Sequence, residues 1–236
     1  IQRILLRIIK ETSLIMFLKK ELTEYNRYQA FAVHMAISLV IFFILLVCIT
    51  QYWYPGILFD TGNGWKAIGI IAGIDLILGP LLTFIVFNNN KNSLKLDLSI
   101  IAIIQVAALI YGCWTIYSSR PVAIAFAHKS FITIYANSHE GPAVKALTKK
   151  YKTVELYYDF SEAKGDYFPQ IKALKSYSEF AEQVINTKSF YSHKKNKNTL
   201  IQVDPLSSKN RYLVIDNDTG AISGFKHVKN ISEITY

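Results

Sequence analysis

Charge is scarce in this chain. Of its 236 residues only 18% are Asp, Glu, Lys or Arg, well under the ~25% of ordinary soluble domains. Cysteine is nearly missing: Cys48 and Cys113 are the whole complement, which excludes a disulfide scaffold. Low hydrophobicity, the condition for disorder, is absent too, because 51% of the residues are apolar. His34, His128, His139, His193 and His227 are scattered, without the short Cys/His spacings of a metal site. No metal and no cofactor are therefore expected. No phosphate-binding Gly loop, dinucleotide fingerprint or Ser-His-Asp pattern occurs.

What is present is a set of long apolar runs. Val33 to Tyr52 holds no charged residue, Ala67 to Phe87 holds only Asp75, and Leu98 to Tyr117 holds none. Each is about 20 residues, so as a helix each rises roughly 30 Å, the hydrocarbon thickness of a bilayer. The expected fold class is an α-helical membrane domain of three transmembrane helices followed by a small α+β domain. The expected boundaries are a basic segment 1–32, a membrane domain 33–118 with spans near 33–53, 67–87 and 98–117, and an exported domain 119–236. A buried helical core is the weaker reading, since core helices are rarely this long and uncharged. A cleaved signal peptide also fits poorly, because Gln51-Tyr52-Trp53-Tyr54-Pro55 is no small-residue cleavage site. Position 1 is Ile, and Met16 is a candidate start, with residues 1–15 either a basic surface helix or an artefact of start choice.

Aromatic residues cluster at the span ends: Tyr52, Trp53 and Tyr54, then Trp65, then Trp114 and Tyr117. Such residues anchor helices at the headgroup level. The N-terminal arm carries Arg3, Arg7, Lys10, Lys19, Lys20 and Arg27, the loop after span one only Lys66, and the loop after span two Lys91 and Lys95. Positive charge near span ends stays in the cytoplasm. The expected topology therefore has the N-terminus inside and the C-terminal domain outside the inner membrane. That domain holds 17 basic and 11 acidic residues and no cysteine, which fits export.

On an ideal helical wheel the second span has two faces. Gly69, Ala72, Gly73, Asp75, Gly79, Pro80 and Thr83 share an arc of roughly 160°, and most of the Ile, Leu and Phe residues fill the other. Small residues let a second helix approach closely in lipid, so this face is expected to pack on a helix and the bulky face to meet acyl chains. A carboxylate at a helix centre costs about 2.5–3.5 kcal/mol on the insertion scale, and the 13 Ile, Leu, Val and Phe residues of 68–87 repay roughly 4–8 kcal/mol. Asp75 is thus tolerable. Its readings are a protonated acid bonded to another helix, an acceptor for a partner group, or a proton carrier. Pro80, after Gly79, removes a backbone bond. Span three offers Gln105 and Ala108-x-x-x-Gly112 as a second contact face.

Beyond Arg120 the pattern is mixed. Val122 to Phe126, Phe131 to Tyr135 and Val154 to Phe160 read as strands. Pro142 to Lys150 reads as a helix, and Ser176-x-x-Glu179 resembles a capping box before a helix near 177–187. Arg211 to Val228 reads as a hairpin turning at Asn217-Asp218-Thr219-Gly220. One core is expected. His193 to Lys197 reads as a solvated loop. The net charge of this domain, +6, suits an acidic partner surface, anionic headgroups or plain solubility. Nucleic acid is not an expected partner.

Two Asp-Thr-Gly triplets, Asp60-Thr61-Gly62 and Asp218-Thr219-Gly220, invite an aspartic-protease reading, but the second belongs to a turn that favours Asp and Gly anyway. An intramembrane aspartyl protease is the sharper alternative. It needs two membrane carboxylates, and Asp75 is alone in the spans. The chain is read as a non-enzyme.

Specific pieces in order carry a resemblance. They are Tyr28-Gln29-Ala30-Phe31 with His34, Trp53-Tyr54-Pro55-Gly56 with Leu58-Phe59, and Gly73-Ile74-Asp75-Leu76-Ile77-Leu78-Gly79-Pro80-Leu81-Leu82-Thr83. Ser93 to Leu98, Gln105 to Gly112 and Arg120-Pro121-Val122 follow. Over residues 28–126 the chain resembles the TfpX/TfpZ family of bacterial type IV pilin accessory proteins. The resemblance implies an inner-membrane, chaperone-like protein that assists a type IV pilin before or during assembly, with no catalytic residues. The Gly/Ala/Asp face and the expected topology add the expectation that span two docks the pilin's membrane helix and the exported domain holds its globular head.

Overall fold

A computed structural model describes residues 25–88, 90–91, 93–162, 170–186, 192–195, 197–206 and 210–228. Most of the basic segment, residues 1–24, lies outside them. The described chain forms two compact units, one from 25–45 with 69–113, the other from 46–68 with 114–228.

Helix α1 (Arg27–Val47) widens into a π turn at Cys48–Trp53. It begins at Arg27, earlier than the apolar run, because its first turn is polar. Asn26 and Gln29 close a reciprocal cap there: Gln29 N donates to Asn26 Oδ1 (2.8 Å), and Asn26 N donates to Gln29 Oε1 (3.1 Å). This satisfies two of the donors orphaned at a helix start. Pro55 ends the helix, and Tyr54 takes φ −132°, ψ 59°, outside the α region that a following proline disfavours. Short α2 (Ile57–Thr61) follows, its N-cap Gly56 at φ 56°, ψ −128°, where a side chain would be strained.

The second long helix comprises α3 (Gly64–Ala72), a π turn at Gly73–Leu78 and α4 (Gly79–Val86). Pro80 explains the wide turn. It lacks an N–H and its ring crowds the carbonyl one turn back, so the backbone opens there. Helix α5 covers Leu94–Ser118. All three helices, Arg27–Trp53, Gly64–Val86 and Leu94–Ser118, are long and apolar enough to cross a membrane.

The rest of the second unit is two four-stranded sheets. The first has the order β2-β1-β3-β4, from β1 (Pro121–Ala127), β2 (Ser130–Tyr135), β3 (Glu155–Tyr158) and β4 (Leu174–Ser176). β1 pairs antiparallel with β2 and parallel with β3, across α6 (Gly141–Tyr151). The second sheet is a meander of β5 (Ser192–Lys195), β6 (Asn198–Gln202), β7 (Arg211–Asp216) and β8 (Ile222–His227).

All seven residues of β1 are buried, because both faces of its sheet are covered. One face, with Ile124, Phe126 and Phe131, packs with Ile201, Leu213 and Ile215 of the second sheet. The other, with Ala123, Ala125 and Ala127, packs with Val144 of α6. The alanines let the helix sit close. The single core expected from length is thus divided: two apolar clusters lie on opposite faces of this sheet, and Leu200, Tyr212 and Val228 form a smaller one.

Two local readings need correction. The expected helix at 177–187 is a 3₁₀ turn, Tyr177–Glu179, and a five-residue helix α7 (Ala181–Ile185). Ser176 Oγ bonds Ser178 Oγ at 2.9 Å rather than capping the backbone. The expected loop at 193–197 holds strand β5, whose His193 pairs with Leu200. Polar residues fit there because β5 is an edge strand.

Candidate functional site

The first unit contains a polar cluster within its apolar helices. Asp75, only 1% exposed, lies in the π turn. Its Oδ1 accepts from Gln105 Nε2 of α5 at 2.9 Å and from Ser38 Oγ of α1 at 3.2 Å. One turn and more away, His34 Nδ1 and Thr83 Oγ1 share a hydrogen bond of 2.6 Å. All three long helices are thereby joined through polar side chains. Among the described residues, Asp75 Oδ2 and Gln105 Oε1 are buried without a hydrogen-bond partner.

The seven small or polar residues of span two divide. Asp75, Gly79, Pro80 and Thr83 are buried, Gly69 is exposed, and Ala72 and Gly73 are half-buried. A side chain at Gly79 would collide with the amide of Gln105, whereas Gly69 and Gly73 face open space. The buried line steps by four: Ala67, Ile71, Asp75, Gly79 and Thr83. An ideal α-helix drifts about 40° over each such step, so the simple wheel scatters these positions. The π turn holds more residues per turn and keeps them in line. The outer side, with Ile70, Ile77, Leu78, Leu81, Leu82 and Ile85, is exposed. Sequence reasoning did not single out Ser38. Its signal was the four-residue step from His34 within an otherwise apolar helix.

In the second unit the aromatic and Arg-Pro motifs come together. The rings of Trp53 and Tyr117 meet edge to face at 5.5 Å. Tyr54, 4% exposed, donates its hydroxyl to Ile116 O at 3.3 Å. The Arg120 guanidinium lies 3.8 Å from the centre of the Tyr117 ring. Gly62 lets Pro121 approach closer than a side chain would permit. Leu58 enters the core with Ile124 and Leu213.

Arg211 ties this segment to the β-sheets. Its Nη1 donates to Thr61 O at 2.7 Å and to Asn63 Oδ1 at 3.3 Å, and its Nη2 pairs with Asp204 Oδ2 at 3.3 Å. Asp204 also accepts from Thr133 N and Oγ1, both at 2.8 Å. Burial raises the Asp204 carboxyl above its ordinary range, opposed by the Thr133 bonds and by Arg211. Nothing in the sequence pointed to Arg211, which is 150 residues from Thr61.

Asp75 meets a hydroxyl and an amide. Asp60 lies in α2, its carboxyl raised by burial, and Asp218 lies in the β7–β8 turn. Among the described residues, no group of three His, Cys, Asp or Glu side chains is placed to hold a metal ion.

No family model matches this chain, and no solved structure matches it. Three fimbrial assembly proteins of Dichelobacter nodosus do, those of serogroups C1 and C2, E1 and I. Each is 40% identical over 96 residues, which is 40% of this chain. That stretch covers 73% of the first relative but 37% of the other two. By its match to the first of these relatives, the chain belongs to the family of fimbrial assembly proteins.

Proposed function

We propose that this protein is an inner-membrane accessory factor that binds a type IV pilin and assists its stability, presentation or assembly, in the manner of the TfpX/TfpZ proteins. It works as a chaperone-like partner rather than an enzyme. The observation that carries this is the divided face of span two. Asp75, Gly79 and Thr83 face side chains of this chain's own helices, while Gly69 and Gly73 face open space in a span of this chain. A small, open surface four residues long in period admits a second apolar helix at close range, and a pilin waiting in the membrane offers one. The three span-length helices and the kinship to fimbrial assembly proteins support the setting. In this reading the N-terminus is cytoplasmic and the β-domain periplasmic, as the distribution of Lys and Arg suggests.

Site-directed crosslinking tests it. Cysteines at Gly69 and Gly73 should trap the co-expressed pilin helix, and cysteines at Ile77 and Leu81 should not. Equal adducts from both sets would refute the docking face. A reporter fused after Tyr236 that is active only in the cytosol would refute the topology.

A further inference from the structure

We propose that the β-domain carries a second binding surface, a basic groove on α6 that takes an extended acidic segment of a partner polypeptide. The inference goes beyond the membrane reading and does not depend on it. The groove is shallow and open to solvent, with a volume of about 770 Å³. Pro142, Ala146 and Val154 contribute apolar surface, and Lys145, Lys149 and Lys152 supply cations. No acidic residue lines it. The nearest acids in sequence, Glu140 and Glu155, lie at the N-cap of α6 and in β3, where Glu155 is half-buried.

The lysines are exposed, and among the described residues no carboxylate forms an ion pair with them. The helix dipole favours cations in the last turn, which accounts for Lys149 but not for Lys145, a full turn earlier. Lys152 sits in the left-handed region, φ 56° and ψ 28°, where glycine or asparagine is the easy choice.

Spacing selects the occupant. Lys145 and Lys149 are one turn apart on a helix face, about 5–6 Å between their Cβ atoms. Same-side residues of an extended chain repeat at about 6.6 Å. Acidic side chains at alternate positions can therefore meet successive lysines, while the residues between them point to the opposite side of the extended chain. A lipid headgroup presents one phosphate and no such repeat.

The test uses the full chain in detergent micelles and a fluorescent hexapeptide of alternating Glu and Val, followed by anisotropy. Lys145→Gln/Lys149→Gln/Lys152→Gln should weaken binding at least tenfold. Lys172→Gln/Lys194→Gln/Lys226→Gln, with the same change in net charge, should alter it less than twofold. Equal losses in the two variants, or no loss in the first, would overturn the groove. Displacement of the peptide by glycerol phosphate at equal anion concentration would overturn the polypeptide in favour of a headgroup. Thermal melts matching the parent chain show that the groove variant is folded.

Discussion

The amide of Gln105 fills the space that a side chain at Gly79 would need, and the same amide donates to Asp75. A methyl group at Gly79 therefore has two effects at once: it collides with Gln105 and it breaks the Gln105–Asp75 bond. Overpacking of this kind costs typically 1–3 kcal/mol. Gly79→Ala should lower the melting temperature in detergent and reduce the protein's level in cells. Gly73→Ala meets nothing within 4 Å in this chain and gains helix propensity of roughly 0.5–1 kcal/mol. It should leave stability unchanged or raised while lowering pilus yield, if that face docks a partner. Pilus counts normalised to protein level separate the two variants.

The two orphaned oxygens, Asp75 Oδ2 and Gln105 Oε1, set a second expectation. Asparagine at position 75 keeps an acceptor for Ser38 and Gln105 and carries an uncharged NH2 donor beside it. Asp75→Asn should therefore be as stable as the parent chain. Asp75→Ala strands the donors of Ser38 and Gln105, at about 1–3 kcal/mol for unmet buried groups. Thermal unfolding of both variants checks the order. If Asn were as damaging as Ala, the carboxyl group would be needed for more than helix contact.

Much of this arrangement was legible in the sequence, and the misses have physical causes. The three long apolar helices follow from uninterrupted hydropathy, and the β7–β8 hairpin from its turn residues. Gln105 stood out as an amide in an apolar run. The packing of Gly69 did not follow, because Pro80 opens the helix and a wheel with one fixed angle loses phase across the π turn. Strand β1 shows its alternating residues but not its burial, since alanines on one face hide a second apolar cluster. The short polar strand β5 carries no apolar signal because its pairing is to one side only. The Arg211–Thr61 tie is long-range, and no local pattern encodes it.

That tie gives a third expectation. Arg211 and Asp204 are both largely buried, and removing one partner of such a pair costs about 3–5 kcal/mol. Arg211→Met loses the Asp204 pair and the bonds to Thr61 O and Asn63 Oδ1 together. Asp204→Asn retains an oxygen for Thr133, so it should be the milder change. Limited proteolysis near 57–63 should speed up in the first variant well before the second. Equal cutting would show that Arg211 acts through its charge pair alone.

Glycine at 220 is required on two counts. Its φ is +70°, and a side chain there would stand 2.7 Å from the Ala181 methyl. Its carbonyl also accepts from the Tyr177 hydroxyl at 2.9 Å, and burial raises that phenol above its usual range. Tyr177→Phe should cost about 1 kcal/mol, one net hydrogen bond. Gly220→Ala should cost more, through strain and collision with α7 together. Denaturant melts of the two variants give the order directly.

The same hairpin predicts a response to acid. Asp216 accepts hydrogen bonds from Thr219 N at 2.8 Å, Thr219 Oγ1 at 2.9 Å and Asp218 N at 3.0 Å. The Thr219 bonds are the main cause that lowers its carboxyl below the ordinary range. A group depressed on folding adds stability above its unfolded pKa, near ~3.9 for Asp, and loses it as the pH falls through the folded value. The turn should therefore loosen only below about pH 4, when the carboxylate protonates and can no longer accept all three bonds. NMR of the Thr219 amide against pH should report that transition at an acidic midpoint. In Asp216→Asn the midpoint should vanish, because the amide at 216 does not titrate. A Thr219 amide that shifts equally in both chains would assign the acid response to a different carboxylate.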